Sequence, residues 1–169
     1  MKNTDLAIKD MLLKELEEYF GADIKRISHA KKVLSFAEEL LRHEHADRRI
    51  VVPASILHDV GIKAAEEKYA SSAGHYQERE GPAIARRILL KTALNNREID
   101  EICDIIGHHH SPGKINTDNF KVLYDADWLV NLRDEVGLED KDKLKQVIAK
   151  VFLTSTGRVM AEKLYLGDS

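Results

Sequence analysis

Apolar residues recur at three- and four-residue intervals along most of the chain, the pattern of helices that bury one face. Leu6, Met11, Leu12, Leu16 and Tyr19 form a first stripe, in a helix that starts near Thr4 or Asp5 and stops at Gly21. A second helix runs from about Asp23 towards Leu41, with Ile24, Ile27, Val33, Ala37 and Leu40 on one face, and its end, RHEHADRR, is polar enough to be a solvated terminus and turn. Pro53 suits the first turn of a third helix and Gly61 its end. GPAIARRILL opens a fourth, and NNREIDEICDIIG is a fifth, with Ile99, Ile102, Cys103 and Ile106 on its stripe. SPGKINTD reads as a loop and NFKVLYDADWLVNLRDEV as a sixth helix. LEDKDKLKQVIAKVF reads as a charged, solvated stretch, and TSTGRVMAEKLYL as a closing helix capped by a hydroxyl. No segment alternates with a period of two, so the expectation is an all-α helical bundle. Only RRIVV and GKINTDNFKVL leave room for a short strand. With no internal repeat and no low-complexity linker, residues 1–169 are read as one domain.

Composition narrows the class. Of 169 residues, 43% are hydrophobic and 33% charged, which fits a soluble globular chain with an ordinary core. The net charge of −3 offers no basic field to polymeric nucleic acid or to a membrane surface, so neither is an expected partner. A small phosphorylated ligand needs only a few local cations and stays open. MKNTDLAIKDMLLKELEEYF carries charges throughout, unlike a signal peptide or a membrane span. Cys103 is the only cysteine, which forbids an intramolecular disulfide and suggests a cytoplasmic protein; on its apolar stripe it reads as a core residue.

The chemistry starts at PASILHDVGI. Val51, Val52, Ile56, Leu57, Val60 and Ile62 read as buried, yet His58 and Asp59 stand among them. A buried carboxylate costs several kcal/mol unless something pairs with it. His29 shares a helix face with Val33, Phe36, Ala37 and Leu40, and so points inward. Asp127 follows Leu123 by four and precedes Val130 by three, on the buried stripe of its helix; Asp125 falls on another face. Singly, each is a hydrogen-bonded core histidine or an ion-paired aspartate. Jointly, two imidazoles and two carboxylates from three helices form a plausible divalent-cation site in a helix-bundle core.

The order RISHAKKV, ILHDVGI, LYDADWL resembles the H…HD…D signature of the HD-domain metal-dependent phosphohydrolases. The resemblance covers about residues 23–135 and leaves 136–169 as a helical extension. It implies an all-helical fold with a metal between core helices, held by His29, His58, Asp59 and Asp127. AGHYQEREGPAIARRIL and IIGHHHSPG extend it towards a branch with the pattern H…HD…H…HH…D, which binds two metals. In that branch Asp59 would bridge the ions, with His75, His109 and His110 as ligands of the second. The cyclic-dinucleotide phosphodiesterase branch is not matched, because Ser111 stands where it has a glutamate and Ile62 where it has a lysine. His43 and His45 read as solvated.

Nitrogen and oxygen donors without thiolate favour iron or manganese, with zinc, nickel, cobalt or magnesium as further options. The implied reaction is hydrolysis of a phosphate ester of a small molecule, with a nucleotide as the expected substrate, by attack of metal-bound hydroxide. Asp59 is central to it, His108 or His110 could protonate the leaving group, and Arg26 and Lys63 could bind the phosphate, Lys63 close to the chemistry. Arg79 reads as surface charge, and Trp128 as core packing. Two rival readings stand beside this one: an HD-type diiron oxygenase, and a non-catalytic module that senses a nucleotide or metal. Oligomeric state is not legible.

Overall fold

A computed structural model describes residues 2–167, and among them the backbone forms nine α-helices and no strand. In chain order they are α1 (Lys2–Phe20), α2 (Ile24–Leu40), α3 (Arg48–Leu57), α4 (Gly61–Tyr69), α5 (Gly74–Leu89), α6 (Asn96–Ile106), α7 (Asp118–Val136), α8 (Lys141–Val151) and α9 (Ser155–Tyr165). The all-α expectation holds. None of these helices is long and apolar enough to cross a membrane.

The axis of the fold is α3, which is buried from Ile50 to Leu57 and packs against α1, α2, α6 and α7. A helix buried on every side shows no amphipathic period, and its run Ile50–Val51–Val52 imitates a strand. The expected strand at RRIVV is therefore helix. Asp47 starts it by accepting a hydrogen bond from the Arg49 amide at 2.8 Å, and Pro53 falls in the interior rather than the first turn. GKINTDNFKVL holds no strand either, because the Thr117 hydroxyl accepts from the Phe120 amide and opens α7.

Gly61 begins a helix instead of ending one. After a turn at 58–60 the chain re-enters helix as α4, which the sequence reading lacked and which packs on α5. A Cβ at position 61 would lie 2.7 Å from the Gly81 nitrogen, so this helix pair meets at two glycines. α5 begins at Gly74, well before the expected Gly81, and takes His75 into its first turn. The stretch expected to be solvated is α8, with Leu144 and Ile148 buried one turn apart.

The hydroxyl cap on the last helix is as expected: Thr154 Oγ1 accepts from the Gly157 amide at 2.9 Å. That oxygen also donates at 2.6 Å to Asp125, a fully buried carboxylate of α7 that accepts from the amides of Leu153 and Thr154 at 2.8 Å each. Burial pushes the Asp125 carboxyl up to about 6 while these donors pull it down. Asp125 is thus the tie between α7 and α9. Cys103 is buried, as expected.

Candidate metal centre

His29 comes from the middle of α2, His58 is the residue that ends α3, Asp59 lies in the turn after it, and Asp127 comes from α7. Adjacent residues within a helix diverge by about 100°. His58 and Asp59 lie at the junction of α3 and α4, where His58 Nε2 and Asp59 Oδ2 nonetheless come within 3.3 Å of each other. His29 Nε2 lies 3.3 Å from His58 Nε2, 3.4 Å from Asp59 Oδ2 and 3.2 Å from Asp127 Oδ1. His58 Nε2 lies 3.3 Å from Asp59 Oδ2 and 3.4 Å from Asp127 Oδ1. His29, His58 and Asp59 offer donor atoms all within 4.8 Å of one another, and Asp127 reaches the set through both imidazoles.

The ring tautomers make this arrangement electron-rich. His58 Nδ1 donates to the Ser55 carbonyl at 2.8 Å, and His109 Nδ1 donates to the Ile106 carbonyl at 2.7 Å. In neutral rings Nε2 then carries a bare lone pair, the usual state of a metal-bound imidazole whose other nitrogen is held by a carbonyl. His58 Nε2 faces carboxylate oxygens of the same polarity, and His109 Nε2 is buried with no hydrogen-bond partner among the described residues. Donors that converge this way need a cation between them, either a proton or a metal. Donors bonded at about 2.0–2.2 Å to one ion sit roughly 3 Å apart, so the residues present fit a divalent metal.

Without a metal, His58 takes the cation's part. Burial lowers its affinity for a proton, but Asp59 and Asp127 more than compensate and hold its pKa well above the ordinary value. Burial likewise works to raise both carboxyls, yet His58 holds Asp59 and Asp127 well below the usual carboxylate range, helped by His109 at Asp59 and His29 at Asp127.

A second group shares Asp59. Its Oδ1 lies 3.4 Å from His109 Nε2, and Asp59, His109 and His110 again offer donors within 4.8 Å of one another. α6 stops at Ile106, so the histidine run is a turn rather than a further helical turn. Glu78 fixes that turn by accepting from the His110 amide at 3.0 Å and from the Ser111 hydroxyl at 2.9 Å. Burial against its surroundings, with His109 beside it, pushes the His110 imidazole down to about 4. At neutral pH it is uncharged and able to offer a lone pair. His110 Nε2 also faces Gln77 Oε1 at 3.2 Å.

The remaining sequence-derived residues lie apart from these groups. His75 is exposed, its ring against Tyr76, and belongs to neither cluster. His108 is turned to the Asp104 carbonyl at 2.8 Å, also outside both. Lys63 is exposed and lies over the Tyr19 ring, 5.5 Å from its centroid, rather than at the cluster. Arg79 lies over Tyr69. Arg26 does line the cleft of about 380 Å³ that opens onto His29, Asp59 and Asp127, but it is already ion-paired with Asp23 and Glu66.

Residues absent from the sequence reading complete the site. Asn131 donates to Asp127 Oδ1 at 2.8 Å, a bond its spacing of one helical turn could have suggested. The buried Ser55 hydroxyl donates to the Val51 carbonyl, while its own carbonyl orients His58. Gln77 and Lys25 line the cleft. Gln77 and Glu78 reach the histidine turn only because α5 folds back along α4 and α6, and no local pattern announces that. No curated protein and no solved structure matches the chain. The model of one family, described as the HD domain, matches residues 26–132 and spans all four residues of the first cluster, so the chain belongs to the HD-domain family.

Proposed function

We propose that the protein is a metal-dependent phosphohydrolase that cleaves a phosphate ester of a small molecule, a nucleotide being the expected class. One observation carries the reading: Asp59 turns one oxygen to His29 and His58 and the other to His109, so two donor clusters share one carboxylate. His29, His58, Asp59 and Asp127 would hold one ion, and Asp59, His109 and His110 a second; iron or manganese suits the mixed imidazole and carboxylate set. When bound, such ions lower the pKa of water towards neutrality and draw charge from a phosphoryl oxygen.

The protein's own groups supply order and charge balance. Ser55 and Ile106 carbonyls fix the rings of His58 and His109, and Asn131 fixes Asp127. The cleft carries Asp23, Asp59, Asp127 and Asp134 against Lys25 and Arg26, so it repels an anion until cations are bound. Arg26 and Lys25 stand at its wall to orient the phosphate. Cations bound in the cleft would offset these carboxylates and let a phosphoryl group enter it.

The test is elemental analysis of protein purified without chelator, followed by phosphate release from a panel of esters in the metal found. Metal-dependent release that disappears in Asp59→Ala supports the reading. Absence of bound divalent metal under every loading condition, or unchanged turnover in Asp59→Ala, overturns it.

A further inference from the structure

A second groove, of about 570 Å³, adjoins the metal cleft and shares Lys25, His29 and Asp134 with it. It is bounded by α2, α7 and the end of α9. Lys25, Ser28, His29, Lys32 and Phe36 recur at three- and four-residue intervals, so one stripe of α2 carries His29 at the cluster and Lys32 and Phe36 beyond it. At 1.5 Å per residue, Phe36 lies about 10 Å along the axis from His29.

The charge of this groove is opposite to that of the cleft. Lys25, Lys32 and Arg133 face the single carboxylate of Asp134, and all three cations are exposed and form no ion pair among the described residues. The groove is also partly aromatic, with Phe36 on the α2 stripe itself and Tyr165 at the end of α9. Phe36 and Tyr165 are half-buried, and the Tyr165 hydroxyl donates to the Leu129 carbonyl, which holds its ring in place.

We propose that this groove is the subsite for the non-reacting part of the substrate, and that it takes a nucleoside 5′-polyphosphate. The cations receive the inner phosphates, the aromatic rings receive the nucleoside, and the terminal phosphoryl group is left at the metal cluster. The role as a substrate subsite rests on the hydrolase reading. The binding itself does not, because the groove is cationic without any metal.

The two are separable by experiment. In chelator, where the cleft is anionic, titration calorimetry with ATP, AMP and inorganic tripolyphosphate reads the groove alone. ATP is expected to bind about tenfold more tightly than AMP through the extra phosphates, and more tightly than tripolyphosphate through the aromatic rings. Lys32→Glu combined with Arg133→Glu is expected to weaken ATP binding at least about tenfold, whereas Lys145→Glu on α8 leaves it unchanged. Lys32→Gln with Arg133→Gln serves if the charge reversal disturbs folding. ATP affinity indifferent to both pairs, or equal for ATP and tripolyphosphate, overturns the proposal. Ester hydrolysis by metal-loaded protein that binds no ATP in chelator overturns the groove and leaves the hydrolase standing. Groove-dependent ATP binding with no hydrolysis of any ester supports the groove and removes the hydrolase.

Discussion

His109 Nε2 lies 3.4 Å from Asp59 Oδ1 with no hydrogen bond between them, although the histidine is buried. A buried nitrogen without a partner costs roughly 1–3 kcal/mol, and a cation shared with Asp59 would remove that penalty. His109→Ala is therefore expected to lower bound metal from two equivalents to one while the ion at His29, His58 and Asp127 is retained. Asp59→Ala is expected to lose both. Metal-to-protein ratios after gel filtration check this, and equal ratios in wild type and His109→Ala would refute the second site.

A metal held by the first cluster would compete with the proton on His58. Its raised pKa means that protonated His58 stabilises the metal-free fold fully below its ordinary value of about 6.5, and that this stability is lost as pH rises through the folded value. Asp59 and Asp127 are depressed, so their share is present above about 4 and lost as pH falls through their folded values. In chelator the melting temperature should gain from both only between about pH 4 and 6.5 and on into the raised range of His58. Metal must displace the His58 proton, so its affinity should rise with pH from 6 to 8, with proton release visible as buffer-dependent binding enthalpy. Affinity flat across that interval would contradict the protonated metal-free cluster.

Arg26 and Lys63 were alike as sequence candidates for the phosphate, and the structure separates them. Arg26 lines the cleft, and Lys63 lies over Tyr19. Arg26→Ala should raise KM about tenfold with kcat little changed, since it removes charge that meets ground state and transition state alike. Lys63→Ala should leave both within about twofold. A larger effect at Lys63 than at Arg26 would reverse the assignment.

The first cluster is legible because its members stand out from apolar surroundings: His29 and Asp127 on apolar helix faces, His58 and Asp59 as ionisable intruders in an apolar run. The helix that carries the pair was read less well. α3 is buried all round, so its period vanishes and its β-branched start resembles a strand. α4 escaped because its exposed charges hide a face built on Ala65 and on a glycine contact with α5. His75 illustrates the limit of spacing: it stands in the helix that supplies Gln77 and Glu78 to the histidine turn, yet its own ring faces Tyr76. Asp125 looked weaker than Asp127 for the metal, and its buried role depends on a loop 28 residues away.

That role yields the last expectation. The Asp125 carboxylate accepts from the Leu153 amide and from the amide and hydroxyl of Thr154, and Gly157 packs directly against it. Asp125→Ala strands two amides and a hydroxyl and opens a hole beneath α9. The expected loss is about 3 kcal/mol, or a melting temperature lower by roughly 10 °C in a chain of this size. Gly157→Ala should do comparable damage from the other side, because its added methyl would occupy the carboxylate's space. Asp125→Asn should fall between wild type and Asp125→Ala, since it keeps one oxygen as acceptor but turns an amide towards a donor. All three are read by thermal unfolding in chelator, which removes any contribution from metal held by the neighbouring Asp127. An Asp125→Ala protein that melts within about 2 °C of wild type would mean that α9 is held by its apolar contacts alone.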